Sequence, residues 1–468
     1  MNPQKQIQKY IYKNNLNYFI QRSFYIINQG VEYIHNWHID AISEALNEVN
    51  KGNIKRLIIN MPPRYLKSVC VSVAFPAWVL GNYPYKRIIV ASYSEKLSLK
   101  HSTDCRLIIE SDWFKNIFDE CVLSKNQNEK YKFSTTKNGY RFATSINGTL
   151  TGEGGDILIV DDPHNPQNVL SKTYREKTTN WFSNTFISRL NNKRDGAIIV
   201  VMQRLHEEDL SGVLIKKGGW DVLNLPAIAE NDEEIKIGNF YKKRLKGEVL
   251  FEKRENIDDL VKMKNEMGTY VFNAQYQQKP MAKGNDIIDI NWIKRFNNAE
   301  KICFENIYLS FDTAIKIANN NDPTVCCVFG EKNNEYYLID VIRKWLEYPE
   351  LKKETLNLVK KYNPIAVLIE DKASGQSLIQ DLKRETRFNI IAIKVNKDKL
   401  TRFSSITPII EAGRLYLPEK ADWLFDLENE LLLFPNSVHD DQVDAISQFL
   451  KWKQNNNIKR RELILRKI

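Results

Sequence analysis

Along the first half of the chain, short runs of consecutive apolar residues alternate with longer stretches in which apolar and polar positions mix at helical spacing. The runs cover residues 56–61, 87–93, 156–162 and 196–202. Each has the length of a strand, each lacks the in–out alternation of a half-exposed strand, and each is followed by a polar loop. Continuous apolar strands are buried on both faces, and strands alternating with helices predict an α/β fold with a parallel, doubly wound sheet. Such sheets bind ligands beyond the carboxyl ends of their strands. The residues just after each run therefore carry the candidate chemistry. Residues 1–50 read as a helical lead-in and 51–280 as one domain, whose later part, 203–280, reads as helices and loops.

A second pattern begins after a polar stretch containing Lys283-Gly284-Asn285-Asp286, so residues 281–303 are predicted to be a linker. Strand-like runs follow at 307–312, 324–330 and 335–342, then a helix over 348–362, a strand over 366–371, a helix from Gly375 and a strand over 389–395. Three strands, helix, strand, helix, strand, helix is the order of a ribonuclease H-like fold, predicted for 304–453. Residues 454–468 read as a basic tail.

Composition adds a partner class. The 468 residues carry a formal net charge of +10, which suits a polyanion because Lys and Arg release counterions from phosphate. Six cysteines without any C-x-x-C pair argue against zinc and redox motifs. The polar N-terminus lacks the apolar core of a signal peptide, and no apolar run is long enough to span a bilayer, so a reducing cytoplasm and no membrane are expected.

Between the first run and a helical stretch lies Pro62-Pro63-Arg64-Tyr65-Leu66-Lys67-Ser68. A phosphate-binding loop needs a strand, free backbone N–H groups, a Lys for the β/γ-phosphates and a hydroxyl for Mg²⁺. Residues 63–68 occupy that place, with Lys67 and Ser68 in the two chemical roles, although Met61 and Leu66 replace the usual glycines. A Lys-Ser pair opening an ordinary helix reads the same way. The run ending in Asp161-Asp162-Pro163 supplies a second signal. Two acids beyond a buried strand are costly unless paired or metal-bound, and they suit a Mg²⁺ ligand (Asp161) and a residue that orients the attacking water (Asp162). A third is Gln203 after the fourth run, a candidate γ-phosphate sensor.

Together these stretches resemble the ATPase half of bacteriophage large terminases. Residues 59–64, Ala91-Ser92-Tyr93-Ser94, Thr151-Gly152-Glu153-Gly154-Gly155 before Asp161-Asp162-Pro163, Met202-Gln203-Arg204 and Ala274-Gln275-Tyr276-Gln277-Gln278-Lys279-Pro280 follow the family order from about His38 to Pro280. The family usually has Gly where this chain has Leu66, and often Glu where it has Asp162. Arg64 resembles the arginine some members place on the γ-phosphate, with Arg106 as a rival.

In the second half, Asp312 ends a strand, Glu370-Asp371 end another, and His439-Asp440-Asp441-Gln442-Val443-Asp444 open a helix on which Asp441 and Asp444 share a face. Two-metal phosphodiester cleavage needs several carboxylates converging on divalent ions, for which hard oxygen ligands suit Mg²⁺ or Mn²⁺. Helix-capping acids and strand-end turns would look similar one residue at a time. The ordered set D…ED…HDDxxD resembles the terminase nuclease domain over about 308–450. The resemblance implies Asp312, Glu370, Asp441 and Asp444 as metal ligands, with Asp371 and Asp322 as weaker candidates and Lys399 and Arg402 as contacts to the DNA backbone. It also implies ATP hydrolysis that drives double-stranded DNA into a procapsid, a portal protein, a small terminase subunit, a ring of large subunits (a monomer in solution being compatible), and the bacterial host cytoplasm. A helicase-like ATPase with a repair nuclease domain and a degenerate prophage DNA-binding or assembly protein are the competing readings.

Overall fold

The computed structural model describes residues 3–146, 148–150, 152–280, 287–297, 302–314, 323–372, 374–395, 398–435, 437 and 439–465. Two compact units emerge: Met1–Met263 with Val271–Ala282, and Lys264–Tyr270 with Lys283–Ile468.

The first unit is built on eight strands: β1 (Arg56–Asn60), β2 (Arg87–Ser92), β3 (Leu123–Asn128), β4 (Lys132–Thr135), β5 (Tyr140–Ser145), β6 (Ile157–Asp161), β7 (Ala197–Met202) and β8 (Asp221–Asn224). Their order is β3-β4-β5-β2-β6-β7-β1-β8. From β5 to β8 every pairing is parallel, while β3 and β4 extend one edge antiparallel. Alternate strand residues enter two different cores. Leu57, Ile59, Ile157 and Ile159 face one layer, and Ile58, Leu158, Val160 and Val200 face the other. Helices cover both layers, which is why the four long runs carry no polar alternation. The order places β7 between β1 and β6, so the loops after all three meet at one edge. A separate hairpin, β9 (Glu233–Ile237) and β10 (Phe240–Arg244), is antiparallel.

Several features depart from the sequence expectation, among them the strands β3, β4 and β5, none of which is read from the sequence. Residues 1–50 form three helices whose Leu16, Phe19, Ile42 and Leu46 join the first unit's own core. The stretch 203–280, expected as helices and loops, contributes the edge strand β8 and the hairpin. Residues 264–270 belong to the second unit.

The second unit holds a seven-stranded sheet, β11 (Lys294–Phe296), β12 (Asn306–Asp312), β13 (Thr324–Lys332), β14 (Glu335–Lys344), β15 (Ala366–Glu370), β16 (Ile390–Ile393) and β17 (Leu415–Pro418), in the order β11-β17-β14-β13-β12-β15-β16. The meander β12–β13–β14 is antiparallel, and β15 and β16 add parallel to β12. The helix Tyr348–Tyr362 has the expected bounds. β11 was expected inside the linker; it pairs with β17, a four-residue strand too short to stand out in sequence. The helix Asp441–Leu465 continues where a tail was expected from residue 454. It packs on the sheet with the Phe449 ring stacked on Phe329 at 4.0 Å. No helix among the described residues is long and apolar enough to cross a membrane.

Candidate nucleotide and nuclease sites

In the first unit, the loop after β1 turns through two left-handed residues, Arg64 (φ 69°) and Leu66 (φ 65°). Glycine adopts that conformation freely; here the loop reaches it without one. The chain then enters a π-helical turn, Val69–Ala74, and the helix Phe75–Asn82. Single π turns of this kind concentrate at functional sites. Pro63 has no N–H to offer a phosphate. The Tyr65 side chain points into the core, where its hydroxyl donates to Glu255 at 2.7 Å and its ring meets His38 and Phe251. Tyr65 thus anchors the loop from behind. Arg64 is exposed, while Arg106 is turned to Glu110 and the Asn128 carbonyl.

Lys67 and Ser68 face the acids after β6. Lys67 Nζ lies 3.2 Å from Asp162 Oδ2, and the Ser68 hydroxyl donates to Asp161 Oδ1 at 3.0 Å. Asp162 is itself left-handed at φ 44°, a conformation Asp tolerates well. The Gln203 backbone N–H donates to its Oδ1 at 3.3 Å, and Gln203 Oε1 is buried without a hydrogen-bond partner. The structure thus brings Lys67, Ser68, Asp161, Asp162 and Gln203 together. Burial raises both carboxyls above the usual carboxylate range, with Lys67 pulling the other way. Asp161 Oδ2 is buried, lacks a hydrogen bond and lies 3.5 Å from His101 Nδ1. Burial pushes His101 down to about 4, so it offers no charge at neutral pH. An orphaned carboxylate oxygen beside a serine hydroxyl fits a hard divalent cation such as Mg²⁺.

Sequence reading missed the supports of this site. Arg141, from β5, is wholly buried, donates to the Ser72 carbonyl at 3.2 Å and lends positive charge to Asp161. The loop after Gln203 is closed by Asp209, which accepts from Arg204 Nε and from the backbone N–H groups of Leu205, His206 and Gly212. The Arg204 N–H donates to Gln278 Oε1 at 2.9 Å. Arg141 carries no local signal, because its partners are far away in sequence or lie on the backbone, and a side-chain pair at the spacing of Arg204 and Asp209 follows no helix or strand period.

In the second unit, Asp312 and Glu370 stand one register step beyond the β12–β15 pair Phe311–Ile369, at neighbouring strand ends. Gly375 explains how the next helix approaches them: a Cβ there would fall 2.0 Å from the Glu370 carbonyl oxygen. The helix Asp441–Leu465 brings Asp441 and Asp444, both buried. Glu430 fixes its start. The Glu430 carboxylate accepts from the N–H groups of Gln442 (2.8 Å) and Val443 (3.0 Å) and from the Gln442 amide (2.6 Å). Gln448 donates to Ser310 and to the Phe311 carbonyl, and Ser310 to the Ala445 carbonyl, which sets the helix against β12.

Burial, then the charges of Asp444, Glu370 and Asp441, push the Asp312 carboxyl well above its usual range. Lys399 lies 2.5 Å from Asp440 and 2.9 Å from Asp444, and Arg402 Nη2 donates to Asp444 at 2.7 Å. Among the described residues, no three His, Cys, Asp or Glu side chains are grouped closely enough to hold a metal ion. The oxygen-only donor set, crowded enough to raise Asp312, nonetheless has the chemistry of a hard-cation site. Asp371 donates its N–H to the Ile393 carbonyl. Asp322 lies outside the described residues.

Residues 309–452 match the family model described as the terminase RNaseH-like domain. The second unit carries a terminase RNaseH-like domain. Its match spans both strand-end acids and the acidic helix start. Among solved structures, the large terminase of a thermophilic bacteriophage is 10% identical, with 92% of this chain and 98% of that one covered and a TM-score of 0.46. The HK97 bacteriophage large terminase is 11% identical, with 94% and 99% covered and a TM-score of 0.38. The large terminase nuclease of the thermophilic phage G20c, with bound magnesium, is 13% identical, with 36% and 97% covered and a TM-score of 0.29. A search of curated proteins found no match.

Proposed function

We propose that this chain is the large subunit of a phage or prophage terminase. Its first unit hydrolyses ATP to move double-stranded DNA through a portal into a procapsid, and its second unit cuts concatemeric DNA. The observation that carries the reading is the meeting of Lys67 with Asp162 and of Ser68 with Asp161 at the mouth of a parallel sheet, in a chain that also carries a terminase RNaseH-like domain.

In the first unit, Lys67 and the loop's N–H groups bind the phosphates, Ser68 and Asp161 would hold Mg²⁺, and Asp162 orients the attacking water. Mg²⁺ supplies charge neutralisation for the transferring phosphoryl group. Gln203 reads the γ-phosphate, its orphaned Oε1 lying one residue beyond β7. Arg64, exposed at the loop's turn, is the arginine for the same phosphate. In the second unit, Asp312, Glu370, Asp441 and Asp444 would hold Mg²⁺ or Mn²⁺, which would supply activation of water and stabilisation of the leaving oxygen. Lys399 and Arg402 balance the acids and contact the DNA backbone. The expected partners are duplex DNA, a portal protein, a small terminase subunit and further copies in a ring, in the host cytoplasm.

The test is DNA-stimulated ATP hydrolysis by the purified chain beside Lys67→Ala, with Mn²⁺-dependent cleavage beside Asp312→Ala. Turnover lost in the first variant and cleavage lost in the second support the reading. Cleavage without any ATP turnover favours the degenerate assembly protein, for which Leu66 in the phosphate loop is the specific motive.

A further inference from the structure

A cleft in the second unit lies beside the acids, and of its lining only Arg402 has a role in the chemistry above. It lies between the end of β16, the helix Lys399–Ser404 and the helix Asp441–Leu465, with a volume of about 340 Å³. That is near the lower end for small-molecule pockets, roughly 300 Å³ upward. Ile393, Lys394, Arg402, Gln448, Lys451 and Trp452 are among the residues that line it. Three are cations, one is aromatic, and no carboxylate among the described residues lines it.

The cleft adjoins the acids at both ends. Ile393 is paired with Glu370 across β15 and β16. Asp444, Ser447, Gln448 and Lys451 recur at i, i+3, i+4 and i+7, one face of one helix. Arg402 joins the two places directly. Its Nη2 holds Asp444, while its Nε is buried without a partner. A buried guanidinium N–H of this kind calls for an acceptor.

We propose that this cleft receives one nucleotide of the DNA strand next to the phosphate to be cut. Its base lies against Trp452 and Ile393, and its phosphate meets Lys394 and Lys451. Three cations with no acid select a polyanion, an aromatic ring stacks on any base, and Gln448 offers an amide without fixing sequence. The inference rests on the nuclease reading of the neighbouring acids and adds where their substrate strand runs.

The experiment measures binding of a short fluorescein-labelled duplex with a single-stranded end to the full chain, by anisotropy in EDTA at several salt concentrations. Trp452→Leu weakens binding about 10-fold with an unchanged salt slope, as lost base stacking requires, and Trp452→Phe restores most of it. Lys394→Ala, at an exposed position outside the core, lowers the slope of log K against log salt by about 0.7–0.9, the value of one phosphate contact. Wild-type affinity and slope in both Trp452→Leu and Lys394→Ala overturn the proposal. Mn²⁺ cleavage is scored separately. A wild-type chain that binds but never cuts refutes the nuclease reading, whereas the cleft stands or falls by the binding data.

Discussion

Replacing Leu66 separates two things that one side chain does at once. The residue holds φ 65° and its side chain packs partly against the first unit's core. Leu66→Ala and Leu66→Gly both remove that packing, worth about 1 kcal/mol for a half-buried leucine. They differ only in the Cβ that Ala keeps. In the left-handed region a Cβ costs about 1–2 kcal/mol, partly offset by the greater freedom glycine has when unfolded, about 0.5–1 kcal/mol. The Gly variant should therefore be more stable than the Ala variant by roughly 1 kcal/mol, or about 2–3 °C in melting temperature for a unit of this size. Wild type and Leu66→Gly should fall close together. Thermal and urea melts of the three proteins read this directly, and ATP titration of the same samples shows whether removing the isobutyl group also tightens nucleotide binding. An Ala variant as stable as the Gly variant would mean that the loop is not left-handed at residue 66, and the account of how it works without glycine would fail.

Other perturbations have equally definite outcomes. Lys67→Ala should lower kcat/KM for ATP on the order of 100-fold or more, as loss of a preorganised charge does, measured by phosphate release. Arg204→Ala leaves Asp209, fully buried, without its cation, and should destabilise the chain by about 3–5 kcal/mol in urea; a loss under 1 kcal/mol contradicts the pairing. Burial holds His38 near 3 and His164 near 4, below the 6.5 of a free imidazole. Their lowered values mean that stability is complete above about pH 6.5 and falls toward pH 3–4, by about 1.4 kcal/mol per unit for each histidine. His38→Gln should flatten that slope by one proton between pH 6 and 5, and an unchanged slope would show that His38 charges freely in the fold. Glu430→Gln weakens a charge-assisted cap at about 1.5–3 kcal/mol and should reduce Mn²⁺-dependent cleavage while DNA binding is retained; unimpaired cleavage means that Glu430 does not place Asp444.

Four parallel strands, β1, β2, β6 and β7, were legible because burial on both faces leaves them mostly apolar: Ile157 to Val160 is apolar up to the acid at the strand's end, whereas β5, also parallel, was missed because Arg141, Thr144 and Ser145 interrupt it. The strand-end acids were legible for the same reason, as charges at the edge of such a run. The edge strands were not. Leu123–Asn128 is mostly polar, and Asp221–Asn224 buries only Leu223. A strand exposed on its outer side carries little hydrophobic signal. Leu66 illustrates a different gap. A glycine-free loop reads as a weak motif, yet the backbone takes the left-handed turns anyway, because Tyr65 is anchored at Glu255 and the strand order brings Lys67 to Asp162. Arg141 and Glu430 lay beyond sequence reading altogether, since a buried charge is explained only by partners on other elements.

The interleaving of the two units bears on inheritance. Residues 264–270 lie within the first unit's stretch of sequence but fold into the second, where the Thr269 hydroxyl and N–H both donate to Glu411 and Tyr270 packs on the core. A single genetic crossover near residue 283 would therefore bring in a foreign second half and leave this strap from the other parent. The receiving Glu411 would face a foreign residue 269. Exchange of halves between related genes is favoured only where the strap matches, so these seven residues should track the ancestry of the second unit, although they are written among those of the first.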